Sequence, residues 1–139
     1  MALIESQHLI SACGPTVRDI ITDARNFTVW DSGITAVSGA VRTGATIRFR
    51  TRTGGGRSFR VHVEQIPGEV MTWTRAVSLG LGKIVRTFAL SRHDGMTRLR
   101  VWDETKGPLR GLIRSPFSFT EQDLNDFVNA VKNRAELLG

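Results

Sequence analysis

From Ile34 to Asp103 the chain keeps returning to a period of two. Ile47 and Phe49 alternate with Arg48, Arg50 and Arg52, and Phe59, Val61 and Val63 alternate with Arg60, His62 and Glu64. Met71 and Trp73 flank Thr72, while Ile84, Phe88 and Leu90 share one parity. Thr97, Leu99, Val101 and Asp103 fall opposite Arg98, Arg100 and Trp102. Successive side chains of a strand point to opposite faces, so each run has one apolar and one charged side. Turn signals at Gly54-Gly55-Gly56, Pro67-Gly68 and Asp94-Gly95 separate the runs, which predicts a meander of hairpin-linked antiparallel strands.

An apolar sheet face needs a cover. The long amphipathic stripe available is Leu124, Phe127, Val128, Val131, Ala135 and Leu138, which traces one helix face to the end of the chain. Thr120, with Asp123 three residues on, can start that helix as a variant of the capping box. Before the meander, Leu3 to Ala12 reads as a strand. Gly14-Pro15 then opens a short helix with Val17, Ile20 and Ile21 on one face, and a second short helix or turn runs from about Arg25 to Trp30. Leu109, Leu112 and Ile113 suggest a helical turn after Gly107-Pro108. The expected fold is α+β: a curved antiparallel sheet of about seven strands wrapped around a long C-terminal helix, with two short helices after the first strand. The 139 residues suit a single domain spanning 1–139.

These segments, in this order, resemble the START-like superfamily (SRPBCC), whose members share the helix-grip fold and include pollen-allergen-type, lipid-transfer and polyketide cyclase/dehydrase-like proteins. Val17 to Asp23 leading to Trp30-Asp31 looks like the family's first helix pair, and Ser38-Gly39 followed by Gly44 is similar to its first hairpin. Met71-Thr72-Trp73 and Arg86 to Leu90 resemble central strands. Asp94 to Leu99, continuing to Asp103 and Gly107, resembles the last strand, and Ala130 to Glu136 the end of the closing helix. The family pattern often has Glu where this chain has Asp103. The resemblance implies a cavity for a small hydrophobic ligand such as a lipid, a polyketide or an aromatic metabolite. It implies no shared catalytic motif.

The pattern alone fits either a solid core or a hollow one built from the same residues. A cavity wall would comprise Phe49, Phe59, Val61, Val63, Met71, Trp73, Phe88, Leu90, Leu99 and Val101, with Trp30, Leu112, Phe127 and Val131 on the helical side. Asp103 is the sharpest polar candidate, since its parity points inward and a desolvated carboxylate needs a partner. Arg86, of like parity in the neighbouring strand, can be that partner. The pair is either structural or sets ligand orientation, and Asp103 is also the candidate general acid or base of a cyclase or dehydratase. Trp73 either stacks on a ligand ring or fills space.

Other chemistries find less support. His8, His62 and His93 are scattered without metal-ligand spacing, and a single cysteine, Cys13, offers neither a disulfide nor a zinc set, so no metal or cofactor is expected. Met1 to Ala12 lacks a basic region followed by an apolar one, and no apolar run reaches the roughly 18 residues of a membrane span, so a cytoplasmic location is expected. The net charge is +6, and Arg48, Arg50, Arg52, Arg57 and Arg60 are expected on the outer face of one hairpin. That face reads as solvated, or as a docking surface for an anionic partner or membrane surface. It lacks the interleaved aromatics of base-stacking surfaces, which argues against nucleic acid.

Overall fold

A computed structural model describes residues 3–30, 32–39, 41–51, 58–66, 70–77, 82–107 and 121–138. Strand β1 (Leu3–Ile10) leads into helix α1 (Gly14–Thr22) and a 3-10 helix (Ala24–Thr28). Six strands follow: β2 (Ile34–Ser38), β3 (Thr46–Thr51), β4 (Ser58–Ile66), β5 (Val70–Val77), β6 (Gly82–His93) and β7 (Met96–Lys106). Helix α2 (Glu121–Leu138) closes the fold. The sheet is antiparallel in the order β1-β7-β6-β5-β4-β3-β2, so the meander runs unbroken and β1 joins beside β7. This is the helix-grip arrangement expected from the period-two pattern and its single long helix. The first strand stops at Ile10, two residues short of the expectation. Thr120, the Gly54-Gly55-Gly56 and Pro67-Gly68 turns and the helical turn at Leu109 to Ile113 lie outside the described residues.

Local chemistry accounts for the joints. Pro15 occupies the first turn of α1, where its missing N–H has no helical partner to lose. Asp94 and Gly95 both adopt positive φ, 48° and 82°, as a two-residue hairpin turn requires. Gly39, at φ 100°, comes so near β3 that a Cβ there would lie 3.0 Å from the Thr46 carbonyl oxygen.

The inner face of the sheet and one face of α2 enclose the core. Leu124, Phe127, Val128, Val131 and Ala135 of α2 are buried against it, together with Val17, Ile20 and Ile21 of α1. Polar contacts fix the helix on β1. Asn125 Oδ1 accepts from Ser6 Oγ at 2.8 Å and lies 3.0 Å from His8 Nε2, and the Ser11 backbone N–H donates to Glu136 at 2.9 Å. These contacts explain the imperfect alternation of β1, whose inward positions include Ser6 and His8.

Candidate functional site

One rung of the inner face carries a buried ion pair and, beside it, a buried indole. Val63 pairs with Trp73, Trp73 with Arg86, Arg86 with Asp103 and Asp103 with Ile4, across five neighbouring strands. Arg86 Nε donates to Asp103 Oδ1 at 2.7 Å and its Nη2 to Oδ2 at 2.8 Å. The side chains are 3% and 7% exposed. Two parallel charge-assisted bonds in a dry setting are the geometry that makes burial of both charges tolerable. The pairing expected from shared inward parity is thus present.

The next residue on that rung is treated differently. Trp73 Nε1 is buried and, among the described residues, has no hydrogen-bond partner. A buried N–H left without an acceptor costs about 1–3 kcal/mol. Its ring is held by Phe88, Phe49 and Phe27 at centroid distances of 5.0, 5.7 and 6.0 Å. Phe59 joins Phe49 at 5.8 Å. From the helix, Phe127 reaches Phe88 at 6.3 Å and Trp30 at 5.8 Å.

Phe49, Phe59, Val61, Val63, Met71, Trp73, Phe88, Leu90, Leu99 and Val101 all lie buried on the inner face, and Phe127 and Val131 face them from α2. Leu112 lies outside the described residues. A void able to hold a metabolite leaves its walls accessible to a water-sized sphere even when sealed from bulk. Trp73, Phe49 and Phe88 are each 1% exposed. Among the described residues, broad rings from sheet and helix meet, Phe88 against Phe127 and Phe127 against Trp30.

Trp30 is half-buried rather than interior. It lines an open cleft of about 300 Å³ between α1, the 3-10 helix and α2, together with Asp19, Asp23, Asn26 and Arg134. Its ring also packs edge-on against Phe27 at 6.1 Å, so Trp30 stands between this cleft and the aromatic cluster. Sequence reasoning passed over Arg75, which continues the inward parity of Met71 and Trp73 at the end of β5. Its guanidinium carbon lies 5.1 Å from the centroid of the Phe59 ring.

Elsewhere several titratable groups have local partners. Cys13 is exposed, and its thiol is held below the usual value chiefly by a hydrogen bond with the Thr16 hydroxyl, at 3.1 Å. His62 contacts Glu64 at 2.8 Å. Among the described residues, no three His, Cys, Asp or Glu side chains gather as a metal site, and no helix is long and apolar enough to cross a membrane. On the outer face Arg48, Arg50 and Arg60 are exposed, while Arg52 and Arg57 lie outside the described residues. Trp102 is covered by Arg100, whose guanidinium carbon is 4.2 Å from the ring centroid.

Residues 1–136 match the family described as polyketide cyclase / dehydrase and lipid transport. No curated protein matches the sequence. Solved structures share the fold. The Aha1 protein of Colwellia psychrerythraea, determined in solution as a dimer, superposes with a TM-score of 0.77 at 19% identity, covering 99% of this chain and 98% of that one. A START superfamily protein from Mycobacterium smegmatis gives 0.74 at 17% identity, with 99% of each chain covered. The di-domain ARO/CYC protein BexL, from the BE-7585A biosynthetic pathway, gives 0.75 at 15% identity over 99% of this chain and 47% of that one.

Proposed function

Because the chain belongs to the polyketide cyclase / dehydrase and lipid transport family, we propose that it is a cytoplasmic carrier or sensor for a small hydrophobic ligand. The ligand class is an aromatic or polyketide-like metabolite bearing a hydrogen-bond acceptor. The observation that carries this reading is the Trp73 N–H, buried among the rings of Phe27, Phe49 and Phe88 and lacking an acceptor among the described residues. A carbonyl or hydroxyl oxygen brought in by a flat apolar molecule satisfies that donor while the surrounding rings stack on its body. Burial of ligand surface supplies about 25 cal/mol per Å², against the cost of parting the rings and ordering the ligand. The site is therefore closed when empty and opens by ring displacement. Trp30, with one side on the exposed cleft and its ring against Phe127, is the natural door.

The cyclase or dehydratase reading is weaker. Asp103 would serve as its acid or base, yet both of its oxygens are engaged by Arg86. Turnover abolished with ligand binding retained in Asp103→Asn would favour that reading. The carrier is tested by native mass spectrometry of protein purified without denaturation. A co-purifying small molecule that is lost in the Trp73→Ala protein supports it. Uniformly empty protein, with no response to aromatic ketones or phenols, overturns it.

A further inference from the structure

The pairing of β4 with β5 stops partway along both strands. β4 and β5 pair from Ile66 with Val70 as far as His62 with Thr74. Beyond that point Ser58 to Val61 pair only with β3, and Arg75 to Val77 only with β6. The strands part there and leave an open cleft of about 440 Å³ lined by Arg48, Ser58, Arg60, Arg75 and Ala76.

The cleft lies in a row of positive charge. Arg48 stands directly opposite Arg60 across β3 and β4. On the far side Ala76 faces Lys83, and Lys83 faces Lys106. Like charges placed opposite one another on a sheet destabilise it. Among the described residues, Arg48, Arg60 and Lys83 form no ion pair, and Lys106 has only Glu104, at 4.0 Å. The small Ala76 in the middle of the row leaves room beside them. Arg75 reaches the same cleft from the opposite parity, braced on the Phe59 ring.

We propose that this cleft binds a phosphomonoester group. A carboxylate is saturated by one guanidinium fork, whereas a phosphomonoester offers three terminal oxygens and about −1.5 to −2 of charge at neutral pH. Arg48 and Arg60 from one wall, Arg75 from the other and the Ser58 hydroxyl supply the donors. Occupancy neutralises the facing arginines and spans the parted strands. The group belongs either to a soluble phosphorylated metabolite or to a lipid headgroup, and the proposal stands independently of the aromatic interior.

The test follows the arginine Nε–H and the Ser58 and Ala76 amide resonances of the full chain by NMR. The probes are inorganic phosphate and vesicles of phosphatidylcholine containing phosphatidic acid. Saturable changes confined to the cleft with phosphate identify a soluble source, and binding to vesicles alone identifies the headgroup. The Arg48→Gln/Arg60→Gln protein is expected to weaken either interaction by about tenfold or more. Its thermal stability should stay equal or rise, because the facing charges are gone. The proposal is overturned by silence towards both probes, by equal responses at Arg92 and Arg98, or by undiminished binding in the double variant.

Discussion

Two buried polar groups sit side by side on one rung and have opposite fates. Arg86 and Asp103 satisfy each other through two short bonds, while the neighbouring Trp73 N–H is left without an acceptor among the described residues. Both positions point inward by the same alternation, and both are hidden from solvent. The pair engages both Asp103 oxygens and ties β6 to β7. The indole is incomplete, and the rings that hold it, Phe88, Phe49 and Phe27, offer it no acceptor oxygen. In the proposed function, the unsatisfied donor rather than the charged pair is where the ligand binds.

The largest effect should come from breaking the pair. Asp103→Leu leaves the Arg86 guanidinium buried beside an alkyl chain and should lower stability by about 3–5 kcal/mol in chemical denaturation. Adding Arg86→Met should recover most of that loss, since well-packed apolar replacements of a buried pair are often neutral or better. If the double variant remains as unstable as the single, the pair does more than satisfy itself, and its contrast with Trp73 weakens.

A smaller effect is expected at the indole. Trp73→Phe removes both the orphan donor and some packed volume. The two contributions oppose each other, so the net stability change should be about 1 kcal/mol or less. Binding of an aromatic ketone should fall about tenfold, the equivalent of one hydrogen bond to a buried donor, while a matching hydrocarbon binds unchanged. Equal losses for both would make Trp73 a wall and not a donor.

The smallest effect belongs to the half-buried helix clamp. Glu136 has its carboxyl held below the ordinary glutamate value, first by the Ser11 backbone N–H and then by Lys132. A depressed folded-state value stabilises above the unfolded value and is lost as pH falls through the folded one. Glu136→Gln should therefore flatten the acid limb of the stability profile below about pH 4.5, the ordinary value. It should leave neutral-pH ligand binding untouched.

Much of this was legible from residue order. Period-two parity placed Arg86 and Asp103 on facing inward positions, and the apolar stripe from Leu124 to Ala135 identified the cover. The polar stretch of β1 was legible only in part, because Ser6 and His8 break the apolar pattern to meet Asn125, a contact between elements more than a hundred residues apart. Arg75 carried the right parity but reads as a strand-end cation until the parting of β4 from β5 is seen. That parting depends on which strands hydrogen-bond, which alternation does not encode. Whether the core is filled or hollow was likewise undecidable from pattern, since the same rings can line a void or meet across it.

The central claim is that the Trp73 indole N–H waits for a ligand oxygen, and its own NMR resonance reports this most directly. With the signal assigned by its loss in Trp73→Phe, titration with aromatic ketones or phenols should shift it downfield and saturably, while hydrocarbons of the same shape leave it in place. An indole signal indifferent to every oxygen-bearing aromatic, with changes confined to surface amides, would contradict the account.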